Sequence, residues 1–141
     1  MRTTRSRLRL GLSLLLVYAL TASNGPAELP PSAYRERQQA APEALVIKVR
    51  SVSKREIKEE KWKRIDFTVE AEVQKVNRSA SKLAPGTVIE IRYAQRHYDQ
   101  PIAGPSEVPA LQEGQVCPAY LSGDGKIYSP AAGGYSFETV N

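Results

Sequence analysis

The chain has one cysteine, one histidine, one tryptophan and one methionine in 141 residues. A lone cysteine closes no intramolecular disulfide, so small disulfide-stapled folds are excluded and the domain must hold by packing. A lone histidine leaves no His-rich ligand set, and no His, Cys, Asp or Glu residues stand at the spacing of a metal site. Gly123-Asp124-Gly125 offers one carboxylate where calcium takes about six to eight oxygens, and it reads as a hairpin turn. Gly133-Gly134 lacks the Lys-Ser/Thr of a phosphate loop and reads as a bend. No cofactor and no metal are expected. There is no internal repeat and no low-complexity segment.

Acid is missing from the first 23 residues, which carry Arg2, Arg5, Arg7 and Arg9. An apolar run from Leu10 to Leu20 follows, then the small residues Thr21, Ala22 and Ser23. This order defines a secretory signal over 1–23, cleaved after Ala22 or Ser23. The apolar run is shorter than the roughly 20 residues a membrane helix needs, so no transmembrane segment is expected after processing. The product is exported, periplasmic or extracellular.

Removing the signal changes the electrostatics. The precursor has 20 basic and 15 acidic residues, a net charge of +5. Four of the basic residues and none of the acidic ones lie in 1–23, leaving sixteen against fifteen, a net of +1. A global attraction to nucleic acid is therefore unsupported, and no nucleic-acid partner is expected. The charge is nevertheless polarised. Residues 48–64 hold eight cations and three glutamates, so the rest of the exported chain is net −4.

Residues 24–43 contain Pro26, Pro30, Pro31 and Pro42 and read as a flexible tether, with room for two helical turns over 33–41. Residues 44–141 suffice for one domain. Within it, 44–52 reads as a strand. Ile65, Phe67, Val69, Ala71 and Val73 alternate with polar residues, the period of a strand with one buried face. Val76 breaks that phase, marking a bulge or the strand end. Strands are also predicted over 87–93, 115–121, 126–128 and 133–139. Pro118 marks an edge or a bulge. A Pro- and Gly-punctuated connection fills 95–114; loops of that length are uncommon and often functional. Ser53 and Glu56 match a helix capping box, allowing a short helix between the first two strands. The fold class is all-β: a small OB-like barrel, closed or partly open, of five to six strands, with a β-sandwich as the alternative.

The segments Leu83–Ile91, Val108–Gly114 leading into Ala119–Leu121, and Tyr128–Phe137 resemble those of exported, largely uncharacterised bacterial OB-like barrel proteins. They are also distantly similar to the netrin-like modules of tissue inhibitors of metalloproteinases. The resemblance covers about 44–139 and implies a fold without an activity. Those inhibitors present a zinc-chelating edge on an N-terminal cysteine and a disulfide framework; here Cys117 stands alone within a strand, so their mechanism is not carried over.

Three functions stay open. The first is a non-catalytic binding module contacting an envelope component or an exported protein partner. Its candidate residues are Lys54, Arg55, Lys58 and Lys61 in the basic segment, and Arg96, His97 and Tyr98 beside the long loop. The second is a small hydrolase using His97 as base with Asp99, since histidine titrates near neutrality. The third is a structural accessory subunit docking by a strand edge near Pro118. Asn77-Arg78-Ser79 matches a glycosylation sequon, meaningful only in a eukaryotic secretory pathway.

Overall fold

The computed structural model describes residues 28–141. The segment read as a signal, 1–23, and the first residues of the segment read as a tether lie outside them. Five strands follow a helix: α1 (Pro31–Ala40), β1 (Glu43–Lys58), β2 (Trp62–Ser79), β3 (Val88–Tyr98), β4 (Val116–Gly123) and β5 (Ile127–Pro130). They form one sheet in the order β1-β2-β3-β5-β4, and β4 returns to pair with β1 so that the sheet closes on itself. The all-β expectation holds in this form. The two-sheet sandwich is not formed. All pairs are antiparallel except β3–β5, which a long connection and the β4–β5 hairpin bring round in parallel.

Alternation decides what fills the ring. Phe67, Val69, Ala71 and Val73 of β2 point inward, beside Leu45, Ile47 and Val49 of β1, Ile89 and Ile91 of β3, Cys117, Ala119 and Leu121 of β4, and Tyr128 of β5. Each large apolar side chain removed from water contributes roughly 1.5–3 kcal/mol. The β1–β2 register slips at three places, between Ala44 and Leu45, Val46 and Ile47, and Val49 and Ser51. The first two slips leave Asn77 and Gln74 unpaired on β2, either side of Val76, which accounts for the phase break there. The third leaves Arg50 unpaired on β1 and inverts the phase of everything after it.

The strands run well beyond the expected spans. β1 continues to Lys58 through the capping-box residues, so no helix separates β1 from β2. Pairing of Ser53 with Thr68 and of Glu56 with Ile65 satisfies the backbone across the strand, and the local helical signal loses to it. β3 continues to Tyr98, which places His97 in a strand rather than a loop. The expected strand over 133–139 is instead a 3-10 turn at Gly133–Tyr135. Gly134 allows the close approach there: a Cβ on it would lie 2.5 Å from Ser106 Cβ.

The segment read as a tether holds α1, and the helix is docked. Tyr34 is buried with its ring 4.5 Å from that of Tyr135. Gln38 Nε2 donates to Tyr135 O (2.8 Å) and Glu138 O (2.7 Å). Arg78 of β2 donates back to Ala41 O (2.9 Å) and Gln38 O (2.8 Å). The helix thereby fastens the C-terminal segment to the sheet.

One hydroxyl makes two of the bonds that anchor the connection 99–115. Tyr93 Oη donates to Pro109 O (3.0 Å) and accepts from Leu111 N (3.1 Å). Leu111 enters the core behind it. Tyr93→Phe removes both bonds and leaves the Leu111 amide unsatisfied, at a cost of about 1–3 kcal/mol. Urea unfolding should show that loss, and the Leu111 amide should exchange faster in the native state; unchanged exchange would show that the loop is held there without the Tyr93 hydroxyl.

Candidate binding surface

The ring is shorter than its longest strands. β4 pairs with β1 only from Glu43 to Lys48, and β5 pairs with β3 only at Glu90 and Ile91. Past those limits β1, β2 and β3 continue as a three-stranded antiparallel leaf: Ser51–Lys58, Trp62–Thr68 and Arg92–Tyr98. Its registers join the two sets of candidate residues. Lys58 pairs with Lys63, which pairs with His97; Arg64 pairs with both Ile57 and Arg96; Trp62 pairs with Tyr98. Lys61 sits in the β1–β2 turn, and its carbonyl accepts from Asp99 N (3.2 Å).

The bulge at Arg50 sorts these residues by face. Lys54, Glu56 and Lys58 share the inner face with Lys63, Phe67, Tyr93 and His97. Lys54 Nζ lies 5.6 Å from the Phe67 ring centroid, and Phe67 stacks on Tyr93 at 4.8 Å. Lys54 therefore lids the open end of the core by a cation–π contact. His97 is exposed, with Nε2 3.2 Å from Gln95 Oε1. Lys63 Nζ lies 3.8 Å from Glu56 Oε1.

The outer face carries Arg55 and Ile57, then Trp62, Arg64 and Asp66, then Arg92, Arg96 and Tyr98. Arg64 Nη2 donates to Asp66 Oδ2 (3.1 Å), and Arg92 pairs with Glu90. Arg55 and Arg96 make no ion pair among the described residues. The Arg96 guanidinium lies 5.6 Å from the Trp62 ring centroid. Two open hollows meet at Ala94. One, of about 460 Å³, is lined by Arg55, Asp66, Thr68 and Arg92. The other, of about 620 Å³, runs between Arg96, Tyr98 and the long connection at Ile102, Pro105 and Glu107. Tyr98 is 42% and Ile102 64% exposed, large values for apolar groups beside a cationic face.

Arg64, Arg92 and Trp62 are the members of this face that the residue-by-residue reading passes over. Their signal is the polar half of the β2 alternation, read backwards through Asp66 and Arg64 to Trp62. Pairing across to β3 adds Arg92 and Arg96, and no local pattern carries that.

Among the described residues no group of three or more His, Cys, Asp or Glu is placed to hold a metal ion, and no helix is long and apolar enough to cross a membrane. Asp124 Oδ1 accepts from Lys126 N and Ile127 N, both at 2.9 Å, and these bonds hold its carboxyl below the usual range. It closes the β4–β5 turn, where a Cβ on Gly123 would lie 2.3 Å from Ile127 O. The chain matches no family model, no curated protein and no solved structure.

Cys117 is buried in the core, and burial pushes its thiol up to about 11. The thiolate is the reactive form, so a thiol reagent at pH 8 should modify the native protein at least about 100-fold more slowly than the urea-unfolded chain. The native rate should keep rising beyond pH 9, where a free thiol levels off. The same shift lowers stability as pH rises from the unfolded thiol's range toward 11, because the unfolded chain loses its proton first. Equal rates in both states would place Cys117 at a solvent path.

Proposed function

We propose that the exported chain is a non-catalytic binding module on an OB-like barrel, and that its leaf engages an anionic envelope component or the acidic surface of an exported protein. A five-stranded ring with a long β1–β2–β3 face is the arrangement through which OB-folds take extended ligands on strands two and three and the β1–β2 loop. One observation carries the reading: the strand registers gather Arg55, Arg64, Arg92 and Arg96 on one face with Trp62 and Tyr98. Guanidinium groups suit planar anions because their forked donors match carboxylate, sulfate and phosphate geometry. The aromatic pair adds a flat apolar platform at low entropic cost. A strand-borne surface is already ordered, so binding forfeits little conformational freedom.

The test is a titration of the exported chain with dextran sulfate and with neutral dextran at two salt concentrations. Dextran sulfate should bind and weaken as salt rises; neutral dextran should not bind. The double variant Arg55→Ala/Arg96→Ala should lower that affinity about tenfold or more while leaving the urea midpoint unchanged. Unaltered affinity in the folded double variant would remove this face from the reading.

A further inference from the structure

The two edges of the leaf are built differently. The β3 edge is guarded. Arg96 N donates to Glu107 Oε1 (2.8 Å), Gln95 Nε2 donates to Val108 O (2.7 Å), and Tyr93 ties the same connection down. The β1 edge is open. β4 stops pairing at Lys48, and Gly114 N and Gln115 O close on Val49 at 2.8 Å each. From Ser51 to Lys58 the β1 backbone bonds to β2 on one side and, among the described residues, to nothing on the other. A strand directs half its N–H and C=O groups to each side, so about eight backbone groups stand unpaired along this edge. Long unpaired edges are templates for strand addition.

The side chains along the edge select what pairs there. Lys54, Arg55 and Lys58 outnumber Glu56, and Glu56 already faces Lys63. Ser51 and Ser53 are small and leave the backbone accessible. A second copy of this edge would bring together two segments that each carry three cations and one glutamate, with cross-strand neighbours about 5 Å apart. Lipid offers no donors or acceptors for an open backbone edge, which argues against a bilayer as its occupant. We propose that this edge receives an extended acidic segment of a partner protein as a fourth strand of the leaf. Main-chain bonds supply the attachment, and Lys54, Arg55 and Lys58 attract acidic strands and repel basic ones. The inference rests on the anion-facing reading of the leaf and names its partner class.

The probe is a capped peptide alternating Glu and Val, about eight residues long to match the open edge, added to the isotope-labelled exported chain. Amide shifts should fall on Ser51–Lys58, and the outward amides there should gain protection from hydrogen exchange. N-methylation of the alternate peptide amides facing the edge should weaken binding about 100-fold, the effect of removing three ladder bonds. The same peptide with Lys in place of Glu should not bind. Equal affinity of the N-methylated peptide overturns the proposal. So do shifts confined to Trp62, Arg96 and Tyr98, which would leave an anion-binding face without strand addition. Absence of any shift while dextran sulfate still binds overturns strand addition alone; failure of both probes removes the anion-facing reading with it.

Discussion

The β1–β2 ladder carries both halves of the molecule. Its fifteen registered pairs run from Glu43 opposite Ser79 to Lys58 opposite Lys63. In the first half, inward residues of both strands form the core that β3, β4 and β5 close. In the second half the same two strands extend past the ring and become the leaf. The leaf borrows its rigidity from the packed end, and the packed end is lidded at its open mouth by Lys54 over Phe67. The bulge at Arg50 sits at the junction. Without that extra residue, Arg55 would lie on the inner face and Lys54 on the outer.

Closure of the ring depends on segments outside the strands. β4 and β5 are short, and β5 meets β3 at only two registered pairs. The remaining gap is sealed by the connection 99–115 and by the C-terminal turn. Leu111 and Phe137 enter the core from those two segments. Tyr93 holds the first by its hydroxyl and meets Phe137 of the second at a ring separation of 6.0 Å. Helix α1 then fastens the C-terminal turn through Gln38 and Tyr34. Ser106 N donates to Tyr34 Oη at 3.3 Å, which links helix and connection directly. The two ends of the described residues therefore meet on one side, and the leaf projects away from them.

This division suits the proposed binding role. Charge is concentrated where the backbone is ordered but the ring no longer covers it. Arg55 and Arg96 are free of ion pairs among the described residues, and Glu107 guards the β3 edge by accepting from the Arg96 backbone N–H. In the proposed binding role, a leaf with one guarded edge and one basic, open edge would discriminate by repulsion as well as attraction.

Much of the core was legible because alternation with period two is a local property. Ile65 to Val73 announced both the strand and its buried face, and Val76 marked the irregularity beside it. The turn at Asp124 was equally local, set by Gly-Asp-Gly chemistry. Strand length was not local. Ser53 to Glu56 carries a helical capping signal, yet β2 lies alongside with its donors and acceptors aligned, and β1 runs on to Lys58. The candidate surface was half legible for the same reason. Composition located the basic segment 48–64 and, separately, Arg96, His97 and Tyr98. Only pairing of β2 with β3 set Arg64 against Arg96 and Trp62 against Tyr98, and only the extra residue at Arg50 put Lys54 and Arg55 on opposite faces. Residue type and spacing determined which segments pair inward. Register, a product of long-range backbone hydrogen bonding, decided which charges share a face.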